Sequence, residues 1–323
     1  MRNWVELQAS YDAYFCVVDL HAITLPWEPA GLRRRTIEVA AALLACGIDP
    51  TRSVLFIQSH VGEHSELAWV LGCISRMGEL RRMVQFKEKS RGESESVGAG
   101  VFTYPILQAA DVLLYRAHGV PVGEDQRQHI ELMRELAGRF NATFGDTFVV
   151  PEAWIAPAGA RIMALDDPTQ KMSKSAGRPA STILLDDPPE AVAGKVKAAV
   201  TDSGRDVRAG DDKPALSNLL TILSLTEGVS IEELESRFAG SGYGHFKQEL
   251  ADAVVRRLDP IRVRYEELKS DPAETARLLE IGATRAAEVA ATTMDDVRDR
   301  IGLMTAARDP VMLAPGPRST PPA

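Results

Sequence analysis

Tyr14-Phe15-Cys16-Val17-Val18-Asp19-Leu20 is a nearly continuous apolar run ending in a loop, the pattern of a buried parallel strand. A helical pattern follows over Leu32 to Cys46, with Gly47 placed to end it and Pro50 beyond. Val54-Leu55-Phe56-Ile57-Gln58 repeats the strand signal, and Leu67, Val70 and Leu71 mark the next helix. Strands and helices alternating at this length predict an α/β fold, a Rossmann-like doubly wound parallel sheet with crossover helices. Such a domain needs a strand ahead of its first helix. Met1 to Gln8 already reads as the tail of a helix, so the first strand is missing from the sequence as it stands.

Further along, Phe86 to Gly100 is polar and charged and reads as an exposed loop. Tyr104-Pro105 starts a helix through Leu107, Ala110, Asp111 and Leu114, proline being tolerated in a first turn. Asp111 stands among Ala109, Ala110, Val112 and Leu113, and either points to solvent from a polar face or is kept there for a purpose. Val120-Pro121-Val122 is a short strand, and Gly123-Glu124-Asp125-Gln126 opens a helix to about Phe140. The glycine there lets a ligand approach the backbone, and a helix N-terminus suits an anionic or polar group, though an ordinary capped turn has the same look. After Asp186-Asp187-Pro188-Pro189 the pattern is helical throughout: Glu190 to Val200, Asn218 to Thr226, Ile231 to Phe238, the series Phe246, Leu250, Val254 and Leu258, then Arg262 to Lys269 and Ala273 to Ile301. Residues 1–180 thus form the α/β part and 181–303 an all-helical C-terminal domain. The proline-rich end, 304–323, reads as a disordered tail.

The composition is that of an ordinary globular chain, 45% apolar and 25% charged, which excludes wholesale disorder. No run approaches the roughly 18 apolar residues of a membrane span, so a cytoplasmic protein without a membrane partner is expected. Cys16, Cys46 and Cys73 lie far apart in apolar segments, in no metal-binding spacing, and read as small buried thiols in a reducing compartment. The net charge of −8 speaks weakly against nucleic acid but leaves room for a local basic face. Arg256, Arg257, Arg262 and Arg264 form such a cluster, either a solvated helix face or a contact to a nucleic-acid backbone.

The most informative string is Lys171-Met172-Ser173-Lys174-Ser175, two lysines three apart between Pro168 and Gly177. Lysine is a compact point charge with rotatable donors, so such a loop can follow and neutralise moving phosphates. Two lysines alone would read as a solvated basic loop, but the full string arises by chance with a probability on the order of 10⁻⁴ in a chain of this length. It resembles the signature loop of class I aminoacyl-tRNA synthetases. Val18-Asp19-Leu20-His21-Ala22-Ile23-Thr24, Thr103-Tyr104-Pro105 with Ala109-Ala110-Asp111, and Val120-Pro121-Val122-Gly123-Glu124-Asp125-Gln126 with Gln128-His129 narrow it. They resemble bacterial-type tryptophanyl-tRNA synthetases. Gly159-Ala160-Arg161-Ile162-Met163, Val200-Thr201-Asp202-Ser203 and Gly242-Tyr243-Gly244 continue the likeness.

This resemblance implies a ligase of protein biosynthesis that uses ATP, with Mg²⁺ assisting, to join L-tryptophan to tRNA(Trp) through a tryptophanyl-adenylate. It implies a homodimer, a helical domain contacting the anticodon, and a last helix packing back on the catalytic part. By position, Asp111 matches the acceptor for the indole N–H, and Gln126 the tryptophan site. Gly123, Glu124 and Asp125 match the adenosine segment, Ile162 a backbone contact to adenine, and Lys171, Met172, Ser173, Lys174 and Ser175 the ATP loop; Lys171 and Lys174 are the catalytic pair. No resident protein-bound metal is expected. Lys89 either matches a further phosphate-binding lysine or is simply solvated. Two departures stand out. His21, His60, His64, His118, His129 and His245 form no His-x-Gly-His-like motif, and Ala176 replaces the usual aspartate. Either Met1 is an internal methionine of a longer frame, or the chain is a non-catalytic paralogue that binds tryptophan or tRNA.

Overall fold

The computed structural model describes residues 1–83, 98–155, 162–173 and 177–304. Lys89, most of the charged stretch after Phe86, Gly159 to Arg161, Lys174 to Ala176 and the chain after Met304 lie outside the described residues. Helix α1 (Arg2–Leu7) leads to strand β1 (Tyr14–Val17), one helical turn α2 (Asp19–Ala22), α3 (Pro29–Ala45) and strand β2 (Val54–Ile57). Then come α4 (Glu63–Ile74), α5 (Met77–Arg82), α6 (Ala99–Leu113), β3 (Gly119–Val122), α7 (Arg127–Phe144) and β4 (Glu152–Ile155). The remaining elements are helical: α8 (Pro189–Ala198), α9 (Pro214–Glu227), α10 (Ile231–Arg237), α11 (Gly242–Ser270) and α12 (Pro272–Ile301). Strand β1 pairs with β2 and β3 with β4, in parallel pairs, which is the α/β-then-helical order expected.

Local chemistry sets these boundaries. Pro29 opens α3 at a position whose N–H has no helical partner anyway, and the Glu28 carboxylate takes the N–H groups of Ala30 and Gly31. The helix ends at Gly47, whose φ of 106° is left-handed, with Ile48 N–H donating to Leu43 O and Gly47 N–H to Leu44 O. The apolar run after Tyr14 is strand only to Val17. Asp19 turns the chain there, its carboxylate accepting from Ser59 N–H at 3.0 Å.

Two prolines were misleading. The helix carrying Asp111 begins at Ala99, so Pro105 lies inside it rather than in its first turn. Pro105 forfeits the bond to the Val101 carbonyl, but its ring is buried and the helix continues on packing. Likewise the stretches 246–258 and 262–269 are one helix, α11, running through an exposed Pro260. Strand β4, only four residues long after Pro151, has no signal the sequence reading caught. Helix α7 also continues to Phe144, beyond the expected Phe140.

The chain divides into two compact units. One comprises Met1–Ala13, Arg33–Leu55 and Ile155–Leu279. Its core is helical: Leu216, Leu219, Leu220 and Leu223 of α9 pack with Phe246, Leu250 and Val254 of α11 and with Val192 and Val196 of α8. Each such side chain contributes about 1.5–3 kcal/mol on burial. The same unit holds Gln8, whose Nε2 donates to the Val5 and Gly47 carbonyls while Oε1 accepts from Asp49 N–H and Ser53 Oγ. One buried amide thereby fixes α1 against the segment entering β2.

The other unit comprises Tyr14–Leu32, Phe56–Trp154 and the chain from Glu280 on. Ala109 and Ala110, fully buried, let α6 lie close to its neighbours α4 and α7. Leu67 and Leu71 of α4 and Met133, Leu136 and Phe140 of α7 complete this core. Arg139 of α7 grips the Glu79 carboxylate of α5 with both nitrogens and also donates to the Ile74 carbonyl. In α4, Trp69 and Cys73 face outward, so Cys73 is exposed rather than the buried thiol expected; the apolar run is wider than the buried stripe.

Gly119 at the start of β3 has no room for a side chain: a Cβ would sit 2.0 Å from the Trp154 indole. Gly119→Ala should destabilise the protein by about 1–3 kcal/mol, as overpacking does. Urea unfolding checks this; an unchanged midpoint would mean the Trp154 ring yields freely.

Candidate active site

Helix α6 carries the site on one stripe. Tyr104, Gln108 and Asp111, with Tyr115 just past its end, fall at helical spacing, while Val101, Ile106, Ala109, Ala110 and Leu113 are buried. Asp111 does not point to solvent: its side chain is only 10% exposed. A negative charge in the last turn of a helix also opposes the helix dipole, so it needs donors from elsewhere. Three arrive. His21 Nε2 of α2 donates to Oδ2 at 2.8 Å, and Gln58 Nε2, directly after β2, donates to Oδ1 at 2.7 Å. His64 Nδ1 of α4 donates to the same Oδ1 at 2.7 Å. Burial alone would raise the Asp111 carboxyl, but the hydrogen bonds from His21 and His64 outweigh it and hold the group below its ordinary value. It is therefore an anion at neutral pH, and an acceptor only.

The donors are themselves fixed. Gln58, fully buried, accepts from Leu20 N–H through Oε1, which settles which end of the amide faces Asp111. His64, also fully buried, has its Nε2 2.8 Å from the Tyr115 hydroxyl. Burial first, then the charge near Cys16 and Asp111, pushes the Tyr115 phenol well up, so it stays protonated. Burial and the charges of Asp111 and Asp19 push the Cys16 thiol up as well, which leaves it a poor nucleophile. Counting lone pairs, Oδ1 is filled by two donors and Oδ2 by one. Among the described residues, one acceptor position of the carboxylate is left open.

The Gly123-Glu124-Asp125-Gln126 turn follows β3 directly, closed by Gln126 N–H donating to Gly123 O at 3.0 Å. Gly123, Glu124 and Asp125 are exposed, and Gln126 is half-buried. Glu124 pairs with Arg127 through both oxygens, and those hydrogen bonds hold its carboxyl below the usual range. A Cβ on Gly123 would come within 2.6 Å of Asp125 Oδ1. A long 3.5 Å contact from Gln108 Nε2 to Gln126 Oε1 brings this turn to the same stripe of α6 as Asp111. Tyr104 adds its hydroxyl, 3.0 Å from His129 Nε2, and an edge contact to the His21 ring.

In the other unit, the lysine segment is rooted by main-chain pairing. Met163 and Lys171 bridge, Met172 N–H donates to the Ile162 carbonyl at 3.0 Å, and Ala164 N–H donates to Gln170 O at 2.8 Å. Asn218, buried on α9, holds Met163 on both sides: Oδ1 accepts its N–H at 2.8 Å and Nδ2 donates to its carbonyl at 2.9 Å. Thr182 Oγ1 donates to Ser173 O, and Lys195 in turn holds the Thr182 carbonyl. Lys171 is exposed and makes no ion pair among the described residues, so its charge is available to an anion. Lys174 and Ser175 lie outside those residues. Also among the described residues, no three carboxylates, histidines or cysteines converge into a cage for a metal ion.

Two further strings meet in the lysine-loop unit. Asp202 Oδ1 accepts from the Tyr243 hydroxyl at 2.6 Å and its Oδ2 from Lys213 Nζ at 3.0 Å, while Lys213 also donates to the Tyr243 oxygen. Of the arginine cluster, Arg262 pairs with Asp259, Arg264 with Glu267 and Arg256 with Glu227, so three of the four charges are already answered.

Residues 1–259 match the class I tRNA synthetases for tryptophan and tyrosine (W and Y). The tryptophan–tRNA ligase of Caldanaerobacter subterraneus subsp. tengcongensis is 51% identical over 305 residues, 94% of this chain and 92% of that protein. The chain belongs to this family. Two solved tryptophanyl-tRNA synthetases superpose on it. The Mycoplasma pneumoniae enzyme has a TM-score of 0.82 at 35% identity, covering 95% of this chain and 93% of its own. The Campylobacter jejuni enzyme, complexed with ADP and tryptophan, has a TM-score of 0.80 at 33% identity, covering 94% and 93%. Sequence reasoning singled out Asp111 for such a synthetase but missed Gln58, His64 and Tyr115 as its supports. The signals were there: His64 shares its stripe with Leu67 and Leu71, and Tyr115 lies one turn past Asp111.

The Asp202 carboxyl is lowered to about 2, chiefly by the Tyr243 hydroxyl and then Lys213. A depressed folded-state value means stability that is complete above the ordinary carboxylate value, near 3.9, and lost as pH falls through the folded one. Asp202→Asn should melt below the parent protein at pH 7, with the gap closing between pH ~4 and ~2. A gap that stays constant over that range in thermal melts would remove the carboxylate's charge from the account.

Proposed function

We propose that this chain ligates L-tryptophan to tRNA(Trp) at the expense of ATP. The observation that carries the proposal is the open acceptor position on buried, ionised Asp111, the complement of an indole N–H, the single donor on a tryptophan side chain. Family membership supports the same chemistry, and the ADP and tryptophan held by the Campylobacter jejuni relative support both ligands. In the first step a tryptophan carboxylate oxygen bonds to the α-phosphorus of ATP while the bond to the bridging oxygen breaks and pyrophosphate leaves. In the second, a terminal ribose hydroxyl of the tRNA attacks the carbonyl of the adenylate and AMP leaves. Both steps need positioning and charge stabilisation rather than a protein nucleophile.

Roles follow by residue. Asp111 takes the indole N–H and Gln126 lies along the tryptophan. The exposed turn Gly123, Glu124 and Asp125 offers the adenosine a close backbone, and Ile162 a main-chain contact to adenine. Lys171 and Lys174, with Met172, Ser173 and Ser175, neutralise the departing pyrophosphate. Magnesium would be held on the phosphates of ATP, where it would supply charge neutralisation beside the lysine loop. Residues 1–180 serve catalysis and 181–303 the anticodon, in a homodimer of the cytosol. No helix among the described residues is long and apolar enough to cross a membrane.

ATP–pyrophosphate exchange tests this. Asp111→Asn keeps an oxygen for two of the donors but presents an amide to the indole, and should lower kcat/KM for tryptophan by at least about 100-fold. Lys171→Ala should lower kcat by about 10–100-fold and leave the tryptophan KM within about twofold, since its charge matters most as pyrophosphate leaves. Parent-like exchange in Asp111→Asn would sink the assignment of the pocket.

A further inference from the structure

Asp111 is held from inside the core by a relay that no part of the reaction above uses. His64 is fully buried, its ring 5.5 Å from that of Tyr115 and 5.8 Å from that of Phe56. Its Nδ1 lies 2.7 Å from Asp111 Oδ1 and its Nε2 2.8 Å from the Tyr115 hydroxyl. Tyr115 is packed in turn, stacked on Tyr14 at 4.7 Å between ring centres. An ionised carboxylate only accepts, so Nδ1 must carry a hydrogen. In the uncharged form of the ring the Tyr115 O–H donates to Nε2, which leaves Nδ1 the hydrogen-bearing nitrogen that faces Asp111. Remove that hydroxyl and Nε2 becomes a buried acceptor without its donor. The ring then turns away or moves its hydrogen to Nε2, presenting a lone pair to Oδ1.

With Gln58 and His64 both on Oδ1, that oxygen has nothing left to offer, and the open acceptor position belongs to Oδ2 alone. Resting on the role given to Asp111 above, we propose that His64 and Tyr115 are positioning residues of tryptophan selection, saturating Oδ1 so that Oδ2 presents its lone pair in one direction. They act through Asp111, so their loss is felt by a side chain with an N–H donor and not by its isostere without one. A general packing defect, by contrast, weakens both ligands together.

Calorimetric binding to the full chain separates these. Tryptophan is compared with 3-benzothienylalanine, in which sulfur replaces the indole N–H, for the parent protein, Tyr115→Phe, His64→Leu and Asp111→Asn. Tyr115→Phe loses one oxygen and keeps its ring, and thermal melts establish that each variant is folded. Tryptophan Kd should rise about tenfold in Tyr115→Phe while that of the analogue stays within about twofold, so the preference for tryptophan falls about tenfold. His64→Leu, which removes the donor to Oδ1 outright, is an independent break in the same relay and should lose the preference likewise. Parallel weakening of both ligands, or no change in their ratio, in the folded variants overturns the relay. If Asp111→Asn abolishes the preference while Tyr115→Phe and His64→Leu retain it, only the relay falls. If the parent protein binds no tryptophan, or Asp111→Asn keeps the preference, the role of Asp111 falls and the relay with it.

Discussion

A carboxylate removed from water must be surrounded by donors or give up its charge, and the unit of this protein that carries Asp111 is built around that constraint. Two of the three donors to Asp111 come from strand ends, His21 just after β1 and Gln58 directly after β2; the Gly123 turn follows β3 in the same manner. In open α/β sheets ligands bind where strands give way to loops at their carboxyl ends. Three such ends here supply polar groups to one stripe of one helix. The first two are short, so a residue gained or lost in either would leave Asp111 with an unanswered lone pair or a donor facing nothing.

The two candidate sites, one proposed for recognition and one for phosphate chemistry, are equipped differently. Around Asp111 the side chains are buried, their rotamers fixed and their hydrogen-bonding capacity almost used up, which suits the discrimination of one donor atom. The lysine segment offers an exposed charge on a rotatable stem, secured only at its root by the Met163–Lys171 bridge. Charge that must follow a leaving group is better placed on such a stem than in a cage, because the anion changes position as the bond breaks.

Much of this was legible in the sequence, and what was hidden has physical causes. Strand β2 was plain because Val54 to Ile57 are buried on both faces, so every position had to be apolar. The string around Asp202 and the one around Tyr243 could be noticed separately, but nothing in their spacing reveals that Lys213 joins them. Pro105 looked like a helix start, and the stretches 246–258 and 262–269 looked separate; a proline forfeits one hydrogen bond, and neighbouring turns hold each helix across that loss. Asp111 among alanines left two readings open, since its partners lie 90, 53 and 47 residues away in the chain. A polar residue inside an apolar stripe, as His64 is beside Leu67 and Leu71, was the clue with the most information.

Asn218 imitates the edge of a β-strand. By taking the N–H and giving to the carbonyl of a single residue, its amide treats Met163 as a strand neighbour would, although it belongs to a helix. Helix α9 and the root of the lysine segment are therefore coupled in series like links of one mechanism. A slide of α9 along its axis by an ångström or so must either rupture both bonds together or carry Met163 with it, and the bridge passes that displacement to Lys171.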